Sequence, residues 1–225
     1  VMRCVIFDLD GTLADTSRDL LEAANATFDE LGFPVTLGPG DAGVALRGGR
    51  AMLTLGMARL GAEEAVAQDV IDRGYRLLLE QYSDAISVQT RFYPGAIEAV
   101  ERCRSRGERG AICTNKPERL AEKLMADLGA RDLFDALLGS DSLPVRKPDP
   151  VHLFETIDRA GGQRDRACLV GDSDTDRDTA RAAGVPSILV TFGPSGADMA
   201  ALEPEALLTD YADLDAVLDR VLPIG

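Results

Sequence analysis

The sequence holds a single histidine, His152, which excludes any catalysis that needs a pair of them. It follows a proline at an expected helix start and reads as a surface residue. No Gly-x-Gly-x-x-Gly follows the first apolar run, and no Gly-Lys-Ser/Thr loop appears, so dinucleotide and P-loop nucleotide binding are not encoded. No Cys-x-x-Cys pair joins Cys4, Cys103, Cys113 and Cys168. Three of the four lie in apolar, strand-like runs. They are expected to be buried, reduced thiols of a cytoplasmic protein rather than zinc ligands. No apolar stretch approaches the length a membrane-spanning helix needs, and no cleavable leader is expected. Basic residues are few: 24 Lys and Arg stand against 38 Asp and Glu, for a net charge of −14. Without a basic stripe, neither nucleic acid nor a membrane is an expected partner. An anionic substrate would be repelled at long range. Screening limits that repulsion to about 8 Å at physiological salt, so local cations can still decide binding.

What is present is an alternation. The chain has 225 residues, 45% apolar and 28% charged, enough for one large soluble domain or a core with a smaller insert. After residue 94, strand-like runs fall at 110–114, 136–139, 167–171 and 187–191. Helical patterns fall between them at 96–105, 118–128, 150–160 and 175–183, with a last one at 214–222. Such alternation predicts an α/β fold, a parallel sheet covered by helices on both faces. Residues 16–91 break the pattern and carry only helical signals, at 17–31, 50–60 and 65–82. The expected organisation is a core of residues 1–15 and 92–225, with a helical module of residues 16–91 inserted after the first strand.

The most specific local signal is Val5-Ile6-Phe7-Asp8-Leu9-Asp10-Gly11-Thr12-Leu13. An apolar, β-rich run reads as a buried strand. Residues i and i+2 of an extended chain point the same way, so Asp8 and Asp10 aim into one space. Two carboxylates about 4 Å apart repel by roughly 4 kcal/mol at an effective dielectric of about 20. A hard divalent cation relieves that repulsion. Aspartates also simply end strands; that reading is fair for one Asp and weak for Asp-x-Asp-Gly-Thr. Three further polar stations end later strand-like runs or their loops: Thr114-Asn115-Lys116-Pro117, Arg146-Lys147-Pro148-Asp149, and Gly171-Asp172-Ser173-Asp174-Thr175-Asp176. Ligands of open α/β sheets bind beyond the carboxyl ends of the strands, where strand order reverses. If the run at 167–171 lies beside the first strand, Asp8, Asp10 and Asp172 meet. Singly, each station has a plainer reading. Asp172-x-Asp174 resembles a helix cap, and Lys147 a solvated turn lysine.

Taken together, these four stations resemble the motifs of the haloacid dehalogenase-like superfamily of aspartate-nucleophile phosphatases. The resemblance covers nearly the whole chain. Within the superfamily, Tyr93-Pro94-Gly95, Thr114-Asn115-Lys116-Pro117 and Lys147-Pro148-Asp149-Pro150 are most similar to phosphoglycolate phosphatases. The resemblance implies a Rossmann-like core with a helical cap, and hydrolysis of a small phosphomonoester, 2-phosphoglycolate the first candidate. It implies Asp8 as nucleophile and Asp10 as acid and base. Thr114 would hold phosphate oxygens, and Lys147 would do so while offsetting the nucleophile's charge. Mg²⁺ would be held by Asp8, Asp172 and the backbone carbonyl of Asp10, with Asp176 orienting a metal-bound water. Asp10 argues against dehalogenation, because halide departure needs no proton donor while alkoxide departure does.

Substrate choice would lie with Asn115, with Lys116 beside it, and with Arg47 and Arg50 around the Gly48-Gly49 turn of the cap. Guanidinium suits a carboxylate. The surface is the default place for arginine, and that reading ranks first for both. Lys116 also admits a plain reading, as an exposed residue at a helix start. Alternatives on the same scaffold are a sugar-phosphate mutase, a pyrophosphatase, a nucleotidase, or a non-enzymatic domain of receiver type. The chain is expected to act as a monomer or a homodimer.

Overall fold

The computed structural model describes residues 2–223; Val1, Ile224 and Gly225, the ends of the expected core, lie outside the described residues. The chain divides into two compact units, Val1–Asp15 with Phe92–Gly225, and Thr16–Arg91.

The first unit is built on β1 (Cys4–Phe7), whose four residues are all buried. A strand with no polar face can only be central, covered by helices on both sides. After the two-residue β2 (Ala14–Asp15) the chain leaves this unit, and it returns through β3 (Arg91–Phe92). From there α5 (Ala96–Ser105), β4 (Arg109–Cys113), α6 (Glu118–Asp127), β5 (Ala136–Leu138), α7 (Pro150–Arg159), β6 (Ala167–Gly171), α8 (Asp174–Ala183) and β7 (Ser187–Val190) follow in alternation. A short β8 (Ala206–Leu208) and α9 (Leu214–Val221) complete the unit. The strand order is β5-β4-β1-β6-β7-β8, all parallel. The α/β expectation holds, and the expected adjacency of the 167–171 strand to the first is found. Element ends differ from expectation by one or two residues, as helix and strand ends usually do. β8 had no sequence signal: it is three residues long and stands at the sheet edge, where acidic neighbours such as Glu205 and Asp210 hide it.

Register then places the polar stations. Phe7 pairs with Ile112 of β4 on one side and with Val170 of β6 on the other. One residue further along each strand come Asp8, Cys113 and Gly171. The backbone N–H of Asp8 donates to the Val170 carbonyl at 2.9 Å, which carries the alignment past the strand end. Strand order reverses at β1, from which the chain builds outward to β4 and β5 and later to β6, β7 and β8. Such a reversal opens a crevice beyond the strands.

The second unit holds α1 (Ser17–Glu30), α2 (Ala42–Ala45), α3 (Gly49–Arg59) and α4 (Glu64–Asp84). Gly56 of α3 lies against the Phe28 ring of α1 so closely that a Cβ would collide with it. The buried Asp19 ties the unit's first helix to its last residues. Its carboxylate accepts from Gln89 N at 2.9 Å, and from Thr90 N and Thr90 Oγ1 at 2.8 Å each. No helix among the described residues is long and apolar enough to cross a membrane.

His152 is a correction. It was expected at the surface and is fully buried, on a face of α7 that also buries Leu153, Thr156 and Ile157. Its Nε2 lies 2.9 Å from the Gly139 carbonyl and its Nδ1 3.5 Å from Cys113 Sγ. The i, i+1, i+4, i+5 spacing of that face was the available signal. Burial pushes the imidazole below its ordinary value, so it is neutral at pH 7. All four cysteines are buried and unbridged.

Asp19→Ala removes a buried carboxylate and leaves the Gln89 and Thr90 amides unmatched, while the Thr90 hydroxyl keeps only the Ile86 carbonyl at 3.4 Å. The expected loss is about 3 kcal/mol of unfolding free energy, the scale of hydrogen bonds to a charged group. Urea titration measures it; a loss below about 1 kcal/mol would mean water replaces the carboxylate there.

Candidate active site

Beyond β1 the chain turns tightly. Gly11 adopts φ +83°, which a side chain would resist, and three successive amides, of Thr12, Leu13 and Ala14, converge on the Leu9 carbonyl at 3.0–3.3 Å. This turn presents Asp8 and Asp10. Asp8 is 9% exposed, and its Oδ1 lies 3.1 Å from the ammonium of Lys147. Burial pushes its carboxyl up from 3.8 to about 7. Lys147 opposes that shift, and the nearby charges of Asp176 and Asp10 add to it.

The station after β6 is assembled around Asp176, which is fully buried. Ser173 caps α8 by accepting from the Asp176 amide at 3.2 Å, so the cap is Ser173 and not Asp172 or Asp174. In return Asp176 Oδ2 accepts from Ser173 Oγ at 2.7 Å and from the Asp172 amide at 3.1 Å. Its Oδ1 accepts from Lys147 at 2.7 Å. Gly171 permits this closeness, because a Cβ there would run into the Asp176 side chain. Asp172 Oδ1 accepts from Thr12 Oγ1 at 2.9 Å, and the Thr12 carbonyl accepts from the buried Tyr211 hydroxyl at 2.7 Å. Burial, followed by the charges of Asp8 and Asp176, pushes the Asp172 carboxyl well above its ordinary value. One oxygen from each of Asp8, Asp172 and Asp176 lies within 4.8 Å of the others.

Lys147 is not a solvated turn lysine. Burial works against its charge, but Asp176 and Asp8 outweigh burial and hold its pKa above the ordinary lysine value. Asn115, exposed, donates from Nδ2 to the Lys147 carbonyl at 3.0 Å. Thr114 is anchored by its amide to the Leu138 carbonyl at 3.0 Å, and its hydroxyl accepts from the Lys116 amide at 3.1 Å. Accepting there leaves the Thr114 O–H proton available to donate.

Lys116 departs from its plain reading. Its side chain is 4% exposed, and its ammonium lies 2.8 and 3.1 Å from the two oxygens of Asp10. The end of β5 fixes the Lys116 backbone. Ser140 N donates to the Lys116 carbonyl at 2.9 Å, and Gly139 packs against the Lys116–Glu118 backbone with no room for a Cβ.

The first unit thus brings together Asp8, Asp10, Thr114, Asn115, Lys147, Asp172 and Asp176. Arg47 and Arg50 belong to the other unit, and both are exposed. Arg50 pairs with Asp72 at 3.0 Å, and its guanidinium carbon lies 4.9 Å from the Tyr75 ring centroid. Two positioning contacts, from Thr12 and Tyr211, had no role in the sequence reading. Thr12 lies within the first motif and was legible as a hydroxyl near Asp172; Tyr211 is 199 residues away and carried no signal.

Asp8 and Asp176 pair with the ammonium of Lys147 and Asp172 crowds against them; the carboxyls of Asp8 and Asp172 are pushed toward the protonated state. This all-oxygen donor set fits a hard divalent cation.

The comparisons with known proteins agree with this geometry. A family model described as haloacid dehalogenase-like hydrolase matches residues 2–184. A Mesorhizobium japonicum protein named phosphoglycolate phosphatase is 41% identical over 95% of this chain and 93% of its own. An Agrobacterium fabrum protein of the same name is 39% identical over 95% and 91%. Among solved structures, a Haemophilus somnus protein described as a predicted phosphoglycolate phosphatase superposes with a TM-score of 0.83 at 24% identity. That match covers 96% of this chain and 97% of the other, and it speaks for the fold alone. Motifs, fold and kinship coincide over most of the length: the chain belongs to the haloacid dehalogenase-like hydrolases.

Proposed function

We propose that the protein is a Mg²⁺-dependent phosphatase that hydrolyses 2-phosphoglycolate through an aspartyl-phosphate on Asp8. The observation that carries the reading is the buried cluster of Asp8, Asp172 and Asp176 around Lys147, with Asp10 two residues from Asp8. Kinship to proteins named phosphoglycolate phosphatase supports the substrate.

Phosphoryl transfer asks for an in-line nucleophile and for positive charge around the phosphate oxygens. A carboxylate oxygen of Asp8 attacks phosphorus while the bond to the alcohol oxygen breaks. Asp10 gives that oxygen its proton, then takes one from the water that cleaves the aspartyl-phosphate and frees inorganic phosphate. Lys147 steadies Asp8 and donates to a phosphate oxygen, and Thr114 donates to another. Asp8 and Asp172 would hold the cation. Both oxygens of Asp176 are already engaged by Lys147, Ser173 and the Asp172 amide, so its part is to fix these groups. The bound cation would supply charge neutralisation at the transferred phosphoryl group. The helical unit would act as a cap, and the pairing of Arg50 with Asp72 supports a structural part for that arginine. Release of phosphate from a panel of phosphomonoesters in Mg²⁺ tests the activity; 2-phosphoglycolate left intact while others are cleaved would overturn the substrate.

Asp8→Asn abolishes the nucleophile, and phosphate release is expected to fall to background. The same change should stabilise the metal-free protein. The folded carboxyl is raised from 3.8 to about 7, so its contribution is complete below 3.8 and is lost as pH climbs through about 7. In chelator, the melting temperature of Asp8→Asn should therefore pull ahead of wild type progressively between those pH values. A gap that does not change with pH would show that Asp8 is not the strained group.

Mg²⁺ should raise the melting temperature of wild type, and that rise should largely vanish in Asp172→Ala. Full turnover in excess EDTA would defeat the cation site. For Arg50→Ala, kcat/KM on 2-phosphoglycolate and on ethyl phosphate should change in parallel, to within about twofold. A loss confined to phosphoglycolate would make Arg50 a carboxylate ligand.

A further inference from the structure

We infer that Lys116 is the residue that reads the carboxylate of the substrate. This rests on the phosphatase reading above and adds to it the group that selects an acid-bearing leaving alcohol.

Lys116 is built into its place. Its amide is held by Thr114 Oγ1, its carbonyl by the Ser140 amide, and its side chain is almost wholly enclosed. A buried ammonium requires an anion, and the anion here is Asp10, at 2.8 and 3.1 Å. Asp10 is the group that meets the leaving-group oxygen. In 2-phosphoglycolate a single methylene separates that oxygen from the carboxylate, so standard bond lengths place the two within about 4 Å. Whatever residue reads the carboxylate must therefore adjoin Asp10, and the ammonium of Lys116 does.

Charge makes the same selection. The core station is strongly acidic, and a second substrate anion needs a cation beside it. Lys147 spans Asp8 and Asp176, which shows within this site that one ammonium can serve two carboxylates at once. Lys116 would serve Asp10 and the incoming carboxylate in the same manner, which also draws the substrate's alcohol oxygen against Asp10. An ester of equal size without a carboxylate has nothing to offer Lys116. On this view selection begins in the core, on the residue two after Thr114, whatever the arginines of the helical unit do.

The test compares wild type, Lys116→Met and Lys116→Arg in Mg²⁺, with melting curves to establish that each is folded. Two quantities are measured for 2-phosphoglycolate and for ethyl phosphate: phosphate release, and the inhibition constant against turnover of an aryl phosphate. Ethyl phosphate has an equally poor leaving group, so any general weakening of Asp10 affects both esters alike. Expected for Lys116→Met is a rise of about tenfold or more in the inhibition constant of phosphoglycolate, with little change for ethyl phosphate. Lys116→Arg, which keeps the charge, should recover much of that discrimination. Equal changes for the two esters in Lys116→Met, or none, would overturn the assignment and reduce Lys116 to a support for Asp10. The two readings fail separately. Phosphoglycolate cleaved equally well by wild type and Lys116→Met leaves the activity standing and removes Lys116. Phosphoglycolate bound through Lys116 but never cleaved keeps Lys116 and removes the activity.

Discussion

One ammonium group organises the core of this protein. Lys147 lies between Asp8 and Asp176, 3.1 Å from the one and 2.7 Å from the other. A lone lysine buried there would lose its proton, and two lone carboxylates would gain one. Beside these partners Lys147 keeps its charge, and it eases Asp8, whose carboxyl burial still pushes up to about 7. The sequence positions needed for this are far apart, on the β1 turn, the loop before α7 and the first turn of α8. The parallel sheet is what brings their strand ends to one edge.

Around that centre the contacts are ordered by purpose. Both oxygens of Asp176 accept hydrogen bonds, from Lys147, Ser173 and the Asp172 amide. Asp172 is oriented by Thr12, and the Thr12 carbonyl is held by Tyr211. The Tyr211 ring in turn packs on Phe192 at a centroid distance of 5.3 Å, and Phe192 on Tyr93 at 4.8 Å. Hydrogen bonds thus aim the carboxylate, while an aromatic cluster of large apolar area holds the hydrogen-bonding hydroxyl in place.

Much of this was legible in the sequence, because it depends on local periodicity. A fully apolar run followed by Asp-x-Asp announces a buried strand with two acids at its end, and Asp8 and Asp10 stand there. The alternation after residue 94 announces the parallel sheet, and the polar stations at strand ends announce where it opens. What was hidden depends on long-range packing. Lys116 looks like any lysine before a helix until the end of β5, with Gly139, closes over its backbone. His152 looks exposed until the buried face of α7 is laid on the sheet. Tyr211 lies far from Thr12 in the chain, and no local pattern links them. β8 is too short, and too closely flanked by acids, to stand out from a loop.

The two buried lysines differ in a way that bears on chemistry. Lys147 sits between Asp8 and a carboxylate, Asp176, that is wholly buried and otherwise saturated. Exchanging that partner would strand a charge in the interior, so Asp176 is the lasting partner of Lys147. Lys116 is paired with Asp10, whose side chain is 13% exposed, the same as that of Asp8; what sets Lys147 apart is its second partner, the wholly buried Asp176. On the phosphatase reading proposed above, Asp10 would turn to the leaving group, and an anion held by Lys116 would make that turn less costly.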